Sequence, residues 1–301
     1  MNIYRIKQVI PKPLYPLISP LYGWIKQAQQ RLILLREGPD IQPEVFRGML
    51  QELGIQKGSI VLVHSAMDGI LERVPGMNPV KLIELLTDMV GEEGTLLMPT
   101  FPFRGRQRDY IEQQPVFDRQ KTPSRVGLMT EIFRRMPGVT RSLHPTHPLA
   151  GRGAMAASLL NEHHMGRTFG DATSPFYKLV EHKALIVGLG IDLDFTIQYV
   201  PEERHPRFRD KVFAADPVML TMKDQGQEIP YAIHPTIAYR DYDHLWEILE
   251  QFKAEGIVTT LSRKGLTCTS VRADRYLERY NRLMDQGTTL FTTTPPSKQE
   301  S

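Results

Sequence analysis

Apolar positions along the chain follow two rhythms. Residues 59–64 (SIVLVH), 94–99 (GTLLMP), 184–187 and 257–261 are short runs that are apolar almost throughout, the pattern of buried strands, and 218–222 is a further strand candidate. Elsewhere apolar residues recur every three or four positions. Residues 43–53 open on Pro43, which suits a first helical turn, and stop at Gly54. Residues 77–90 predict a helix with Val80, Leu82, Ile83, Leu86 and Met89 on its inner side, and helices are also predicted over 125–136, 154–162, 176–181, 239–254 and 271–283. The strand–helix–strand order predicts an α/β sheet with helical cover.

The intervening segments differ in kind. Residues 100–122 read as one long loop rich in charge and aromatics, and loops of that length in a compact domain usually carry function. Residues 1–42 form a proline-rich arm with an amphipathic helix over 21–35, where Leu21, Trp24, Ile25, Ala28, Leu32 and Leu35 share helical spacing. This helix is expected to pack on its own domain or on a sister subunit, with peripheral attachment to a membrane surface as the alternative. Residues 43–286 make the α/β domain, and the Thr-, Pro- and Ser-rich stretch 287–301 is expected to be a flexible tail.

Composition narrows the class. With 301 residues, 41% hydrophobic and 24% charged, the chain has the make-up of a globular protein with a substantial core. The single cysteine, Cys268, excludes an intrachain disulfide, fits a reducing compartment and reads as a small apolar strand residue; a cytoplasmic location is expected. A net charge of +3 is no nucleic-acid signature. Two arginine clusters, Arg104, Arg106 and Arg108 and then Arg204, Arg207 and Arg209, suit a phosphorylated or anionic ligand. The nine histidines are scattered and no metal is expected, the adjacent His163 and His164 reading as a solvated helix end.

Four segments carry the chemistry. They are Val63-His64-Ser65-Ala66-Met67; residues 94–101, ending Pro99-Thr100-Phe101; Thr122-Pro123-Ser124-Arg125-Val126-Gly127, continuing through Phe133-Arg134 and Pro137-Gly138 to Arg141-Ser142-Leu143-His144-Pro145; and Gly170 with Ser174-Pro175, then Ile186-Val187-Gly188-Leu189-Gly190-Ile191-Asp192. In this order and spacing, across residues 45–269, the chain resembles the aminoglycoside 3-N-acetyltransferase family. The resemblance implies a central mixed sheet covered by helices on both faces, of the antibiotic N-acetyltransferase type, with acetyl-CoA as co-substrate and a small-molecule amine as acceptor. It implies that His64, Ser65, Ala66 and Met67 offer backbone N–H groups to the pyrophosphate and pantetheine of CoA. Thr100, at a strand's carboxyl edge, and Ser124 and Arg125, at a helix start, would border the same site.

Amine acetylation needs a base for the ammonium proton and donors for the tetrahedral oxyanion. His144 is the first candidate, and His147, also followed by a proline, stands three residues on. Six residues after the position of Asp192 the family places a catalytic histidine, with a carboxylate three residues beyond. This chain has Gln198 and Pro201 there, and glutamine is no base near neutral pH. Glu202 is then the candidate for the lost carboxylate and His205 for the missing imidazole. The expected function is acetyl-CoA-dependent N-acetylation of an amino sugar or related metabolite, the arginine clusters favouring a neutral or anionic acceptor over a polycation. The alternative is a homologue that kept a CoA-binding or partner-binding role and lost catalysis with that histidine.

Overall fold

The computed structural model describes residues 40–191 and 196–292, together with residues 28, 32 and 38. The arm and its helix over 21–35 lie almost wholly outside the described residues, as does Asp192. In chain order the strands are β1 (Ile60–Ser65), β2 (Thr95–Pro99), β3 (Val116–Asp118), β4 (Thr140–Arg141), β5 (Leu149–Gly153), β6 (Leu185–Leu189), β7 (Val218–Asp224), β8 (Gln227–Ile233), β9 (Tyr239–Arg240), β10 (Val258–Arg263), β11 (Leu266–Arg272) and β12 (Phe291–Thr292).

Seven of them form the central sheet in the order β10-β11-β6-β1-β2-β5-β4. The inner three, β6, β1 and β2, are parallel, and the flanking strands run antiparallel, so the sheet is mixed. The apolar runs follow from burial on both faces. Leu62, Leu97 and Ile186 point into one core with the helices Pro175–Glu181, Tyr242–Ala254 and Ala273–Asp285. Their neighbours Val61, Val63, Leu96, Met98 and Val187 point into the other, under Pro43–Glu52 and Pro79–Val90. Each such side chain, fully withdrawn from water, stabilises by about 1.5–3 kcal/mol. Cys268 is one of them, buried in β11.

Several boundaries depart from the sequence reading. The helix expected from residue 77 begins at Pro79, where the Asn78 side chain accepts the Lys81 N–H at 2.9 Å, and Val80 faces solvent rather than the core. The long loop after β2 contains a helix, Gln107–Glu112, and β3, which pairs with β7 to make a separate three-stranded sheet with β8. Residues 239–240 form β9 rather than a helix start; the helix begins at Tyr242, and Asp241 caps it through the His244 N–H. Residues 287–292, read as the start of a flexible tail, are packed: Leu290 is fully buried and β12 pairs with β9.

Candidate active site

β1, β2 and β6 end side by side, and their carboxyl ends form one edge, the side on which the ligand crevice of open α/β sheets lies. The exits are tight. Ala66 donates its N–H to the Leu189 carbonyl at 2.9 Å, and Gly190, at φ 69°, lies so close that a Cβ would stand 2.6 Å from the Ala66 oxygen. The expectation that Ala66 offers a free N–H is thereby corrected: its donor extends the β1–β6 ladder. His64 lies opposite Gly188 in that ladder, Ser65 donates its hydroxyl to the Met129 sulfur at 3.4 Å, and Met67 opens a short helix, Met67–Arg73.

Ser124 and Arg125 do not start a helix, which is a second correction; the helix is Leu128–Phe133. The Ser124 N–H is accepted by Glu131 Oε2 at 2.7 Å, and its hydroxyl lies 2.7 Å from Thr130 Oγ1. Burial pushes the Glu131 carboxyl up, but Arg134, Ser124 N–H and Arg135 outweigh it and hold it below the usual range. The Arg125 backbone is clamped, its N–H donating to Phe101 O at 2.8 Å and its carbonyl accepting from Arg104 Nε at 2.7 Å. Its exposed guanidinium makes no hydrogen bond or ion pair among the described residues. Arg125 and Arg104 thus place two cations on one loop beside the crevice, a donor set that fits the diphosphate of CoA.

Thr100 is fixed from both sides. Its N–H and hydroxyl both donate to Pro148 O, at 2.9 and 3.0 Å, and Arg141 donates to its Oγ1 at 3.0 Å and to its carbonyl at 2.7 Å. Arg141 also donates to Arg119 O and Thr122 O and lies over the Phe117 ring, so one guanidinium ties the 100–122 segment to the sheet edge. Burial, aided by Arg134, pulls it down to about 9.

Because β5 runs antiparallel to β2, the residues just before Leu149 return to the same carboxyl edge. They carry the histidines. His144, His147 and His163 are all buried and line one small cavity with Gln107, Arg167, Thr168, Phe169, Phe176, Phe213, Ile233 and His234. Its water-accessible volume of about 10 Å³ seats a single water-sized group. His163 is a correction: read as part of a solvated helix end, it stacks on His144 and donates or accepts at Ser142 Oγ, 2.9 Å away. His144 Nδ1 accepts the N–H groups of Thr146 and His147. Burial pulls its pKa down to about 3, and both His147 and His163 well below normal, so all three rings are neutral near pH 7. Burial that resists protonation makes a ring a weaker general base, which counts against His144 in that role.

Glu202 and His205 lie elsewhere in the network. Glu202 is fully buried, and its Oε1 accepts from the Tyr280 hydroxyl, Thr289 Oγ1 and Leu290 N, all in the C-terminal segment. His205 Nε2 sits 3.2 Å from Asp285. Neither bonds to the histidine cluster, and both bond to the C-terminal segment. Gln198 is buried in a short turn, Thr196–Gln198, and its neighbour Tyr199 stacks on Phe169, which in turn packs edge-on against His147. The arginine clusters are corrected too. Arg106 and Arg108 pair with Asp109 and Glu112, and Arg204 donates to Gly170 O over the Tyr177 ring. Arg167, not singled out from the sequence, is the cation at the cavity, and Arg209 reaches the adjoining depression.

An open, mixed α/β sheet whose parallel strands end beside a cavity of buried histidines defines an α/β protein of the class that holds ligands at the carboxyl edge of its strands. The aminoglycoside 3-N-acetyltransferase family model matches residues 62–285, and the chain belongs to that family. It is 33% identical over 174 residues to the aminoglycoside N(3')-acetyltransferase-like protein YokD of Bacillus subtilis, covering 52% of this chain and 63% of that protein. It is 28% identical over 179 residues to aminoglycoside N(3)-acetyltransferase IX of Micromonospora chalcea, covering 55% and 63%. The matched stretch thus spans less than two thirds of either relative's length. Among solved structures it superposes on aminoglycoside acetyltransferase AAC(3)-Xa with a TM-score of 0.68 at 21% identity, covering 86% of this chain and 98% of that one. AAC-IIIb, solved as a binary complex with CoASH, gives 0.67 at 21%, covering 85% and 100%. At such identities the likeness is one of fold. Among the described residues no cluster is arranged to hold a metal, and no helix is long and apolar enough to cross a membrane.

Proposed function

We propose that the protein is an acetyl-CoA-dependent N-acetyltransferase acting on the amino group of an amino sugar or related metabolite. The observation that carries this reading is the meeting of Ser65, Thr100, Arg125 and the histidine cavity, from separate segments, at one carboxyl edge of the sheet. Acetyl-CoA, when bound, supplies a thioester acetyl group. Arg125 and Arg104 hold its diphosphate, and the loop Ser65-Ala66-Met67 lies beside the chain leading inward. The acceptor enters against Phe169, Tyr199 and the histidines, which exclude water and fix its orientation. Among the described residues no carboxylate lines the cavity, and these residues offer a polycationic aminoglycoside no counter-charge there.

With Gln198 where the family has its histidine, and the cavity imidazoles neutral, the acceptor amine reacts as its free base and loses its proton to solvent. Rate then comes from orientation rather than from a protein base. The test is thiol release from acetyl-CoA against amino sugars and aminoglycosides, with His144→Ala and His205→Ala alongside. Turnover that His144→Ala lowers and His205→Ala leaves within about twofold is the expected result, since only His144 lines the cavity. CoA binding with no turnover on any amine would favour the catalytically degenerate reading, which Gln198 and Pro201 support.

A further inference from the structure

The hydrogen bonds around the three buried histidines fix where their ring protons sit. The Thr236 N–H donates to Gln107 Oε1 at 2.8 Å, which orients that amide and turns its Nε2 toward Thr146 Oγ1, 3.4 Å away. Thr146 Oγ1 lies 2.8 Å from His147 Nδ1 and 3.5 Å from His144 Nδ1, and its hydroxyl proton is assigned to the nearer ring nitrogen. Ser142 Oγ likewise accepts the Leu149 N–H at 2.9 Å, and its own proton is assigned to His163 Nδ1, 2.9 Å away. His144 Nδ1 accepts two backbone N–H groups, at 3.3 and 3.0 Å. The backbone donors make Nδ1 of His144 an acceptor, the assigned hydroxyl protons do the same for His147 and His163, and a neutral ring with Nδ1 as acceptor carries its proton on Nε2.

All three Nε2–H groups are left as donors on rings at least nine-tenths buried, with exposures of 5, 7 and 3% for His144, His147 and His163. Among the described residues none of the three makes a hydrogen bond at Nε2, and all three rings line the same cavity. Three such donors on one small cavity make it a place for an oxygen, of water or of a ligand. Its charge points the same way. Arg167 lines it, with no ion pair from its guanidinium among the described residues, and no Asp or Glu does.

We propose that this cavity is a carboxylate-binding subsite, in which His144, His147 and His163 donate Nε2–H bonds to a carboxylate borne by the acceptor and Arg167 supplies the countercharge. The subsite deepens the acetyltransferase reading by naming the acceptor class, an amine that also carries a carboxylate. Its fit to a single oxygen-sized group favours one edge of a planar carboxylate over a phosphate. Four donors around one oxygen of the carboxylate satisfy it and leave the amine to project toward the carboxyl edge of the sheet.

Long-range ¹H–¹⁵N spectra of the full chain test this without any acetyl transfer. The expected result is three neutral rings protonated at Nε2, whose signals shift saturably on addition of acetate. Acetamide and chloride at matched ionic strength should leave them in place, and inorganic phosphate should shift them at least about tenfold more weakly. Arg167→Gln, at an exposed position that does not threaten folding, should weaken acetate binding about tenfold, a change worth roughly 1.4 kcal/mol. With transferase assays, a carboxylated amine should show a lower KM than its carboxamide at similar kcat, and Arg167→Gln should erase that difference. Acetate shifts without turnover on any amine would keep the subsite and remove only the acetyltransferase reading. Rings protonated at Nδ1, equal response to acetamide, or no saturable shift would overturn the proposal.

Discussion

His144 lies against His163 with ring centroids 4.2 Å apart and planes 21° from parallel. Rings so close and so buried resist charge: burial lowers both, and their mutual repulsion lowers His163 further. Histidines in the unfolded chain titrate near 6.5, so on acidification the unfolded state takes up protons before the folded one does. The stability these rings contribute is whole above about pH 6.5 and is lost as pH falls from there toward about 3. Urea midpoints should stay level between about pH 8 and 7 and drop steadily between about 6 and 4.5. Replacing His163 with Gln should flatten that drop. A midpoint independent of pH across the window would show that the folded rings accept protons freely.

Arg141 gives a second prediction. Its guanidinium donates to four oxygens, Thr100 Oγ1 and the carbonyls of Thr100, Arg119 and Thr122, a fan that a single ammonium cannot reproduce. Arg141→Lys should therefore destabilise by on the order of 3 kcal/mol, from lost charge-assisted bonds and carbonyls left without donors. Hydrogen exchange should rise first in the 100–122 segment, while β6 and β11 keep their protection. Uniform loss across the sheet would mean that Arg141 is not a local tie.

Glu202 was a catalytic candidate from its place in sequence, and the structure gives it a different task. It joins the helix Tyr199–Arg204 to the C-terminal segment through Tyr280, Thr289 and Leu290. Burial pushes its carboxyl up, against the bonds that favour its charged form. Glu202→Gln should lower stability by about 1–3 kcal/mol and leave kcat within about twofold below the unfolding temperature. Tyr280→Phe should act alike, and the double variant should be less than additive because both remove one bond. A kcat loss of about a hundredfold with unchanged stability would return Glu202 to the reaction.

The central strands were legible because Val61, Leu62 and Val63 are buried on both faces, which forces an unbroken apolar run that needs no knowledge of partners. The small β3-β7-β8 sheet was not, since β3 and β7 stand about a hundred residues apart and both are half-exposed, leaving weak alternation and no turn between them. Thr100 and Ser124 could be picked out through the motifs, but their bonds could not. Ser124 is fixed by Glu131, seven residues on, a spacing that matches no capping pattern. His163 was misjudged because its neighbours Glu162 and His164 are polar. Only the packing of Phe176 and His144 against it, from segments distant in the chain, buries it. Arg167 carried no signal beyond a charged residue after Gly166.

The pH dependence of acetyl transfer follows from the same geometry. A transferase with a histidine base shows an ascending limb near that histidine's pKa, whatever amine it is given. Here position 198 is glutamine, and the cavity rings are neutral donors with Nδ1 already engaged, so none gains a proton readily near neutral pH. The ascending limb of kcat/KM should then follow the acceptor, moving to lower pH by about one unit for each unit by which the amine's own pKa is lowered. Gln198→His would add an imidazole without the partner carboxylate, since Pro201 stands at that place. Because position 198 is buried, that variant should gain a shoulder below about pH 6.5 that does not move with the amine. Parallel profiles for two amines of different basicity, on the unaltered chain, would instead reveal a base within the protein.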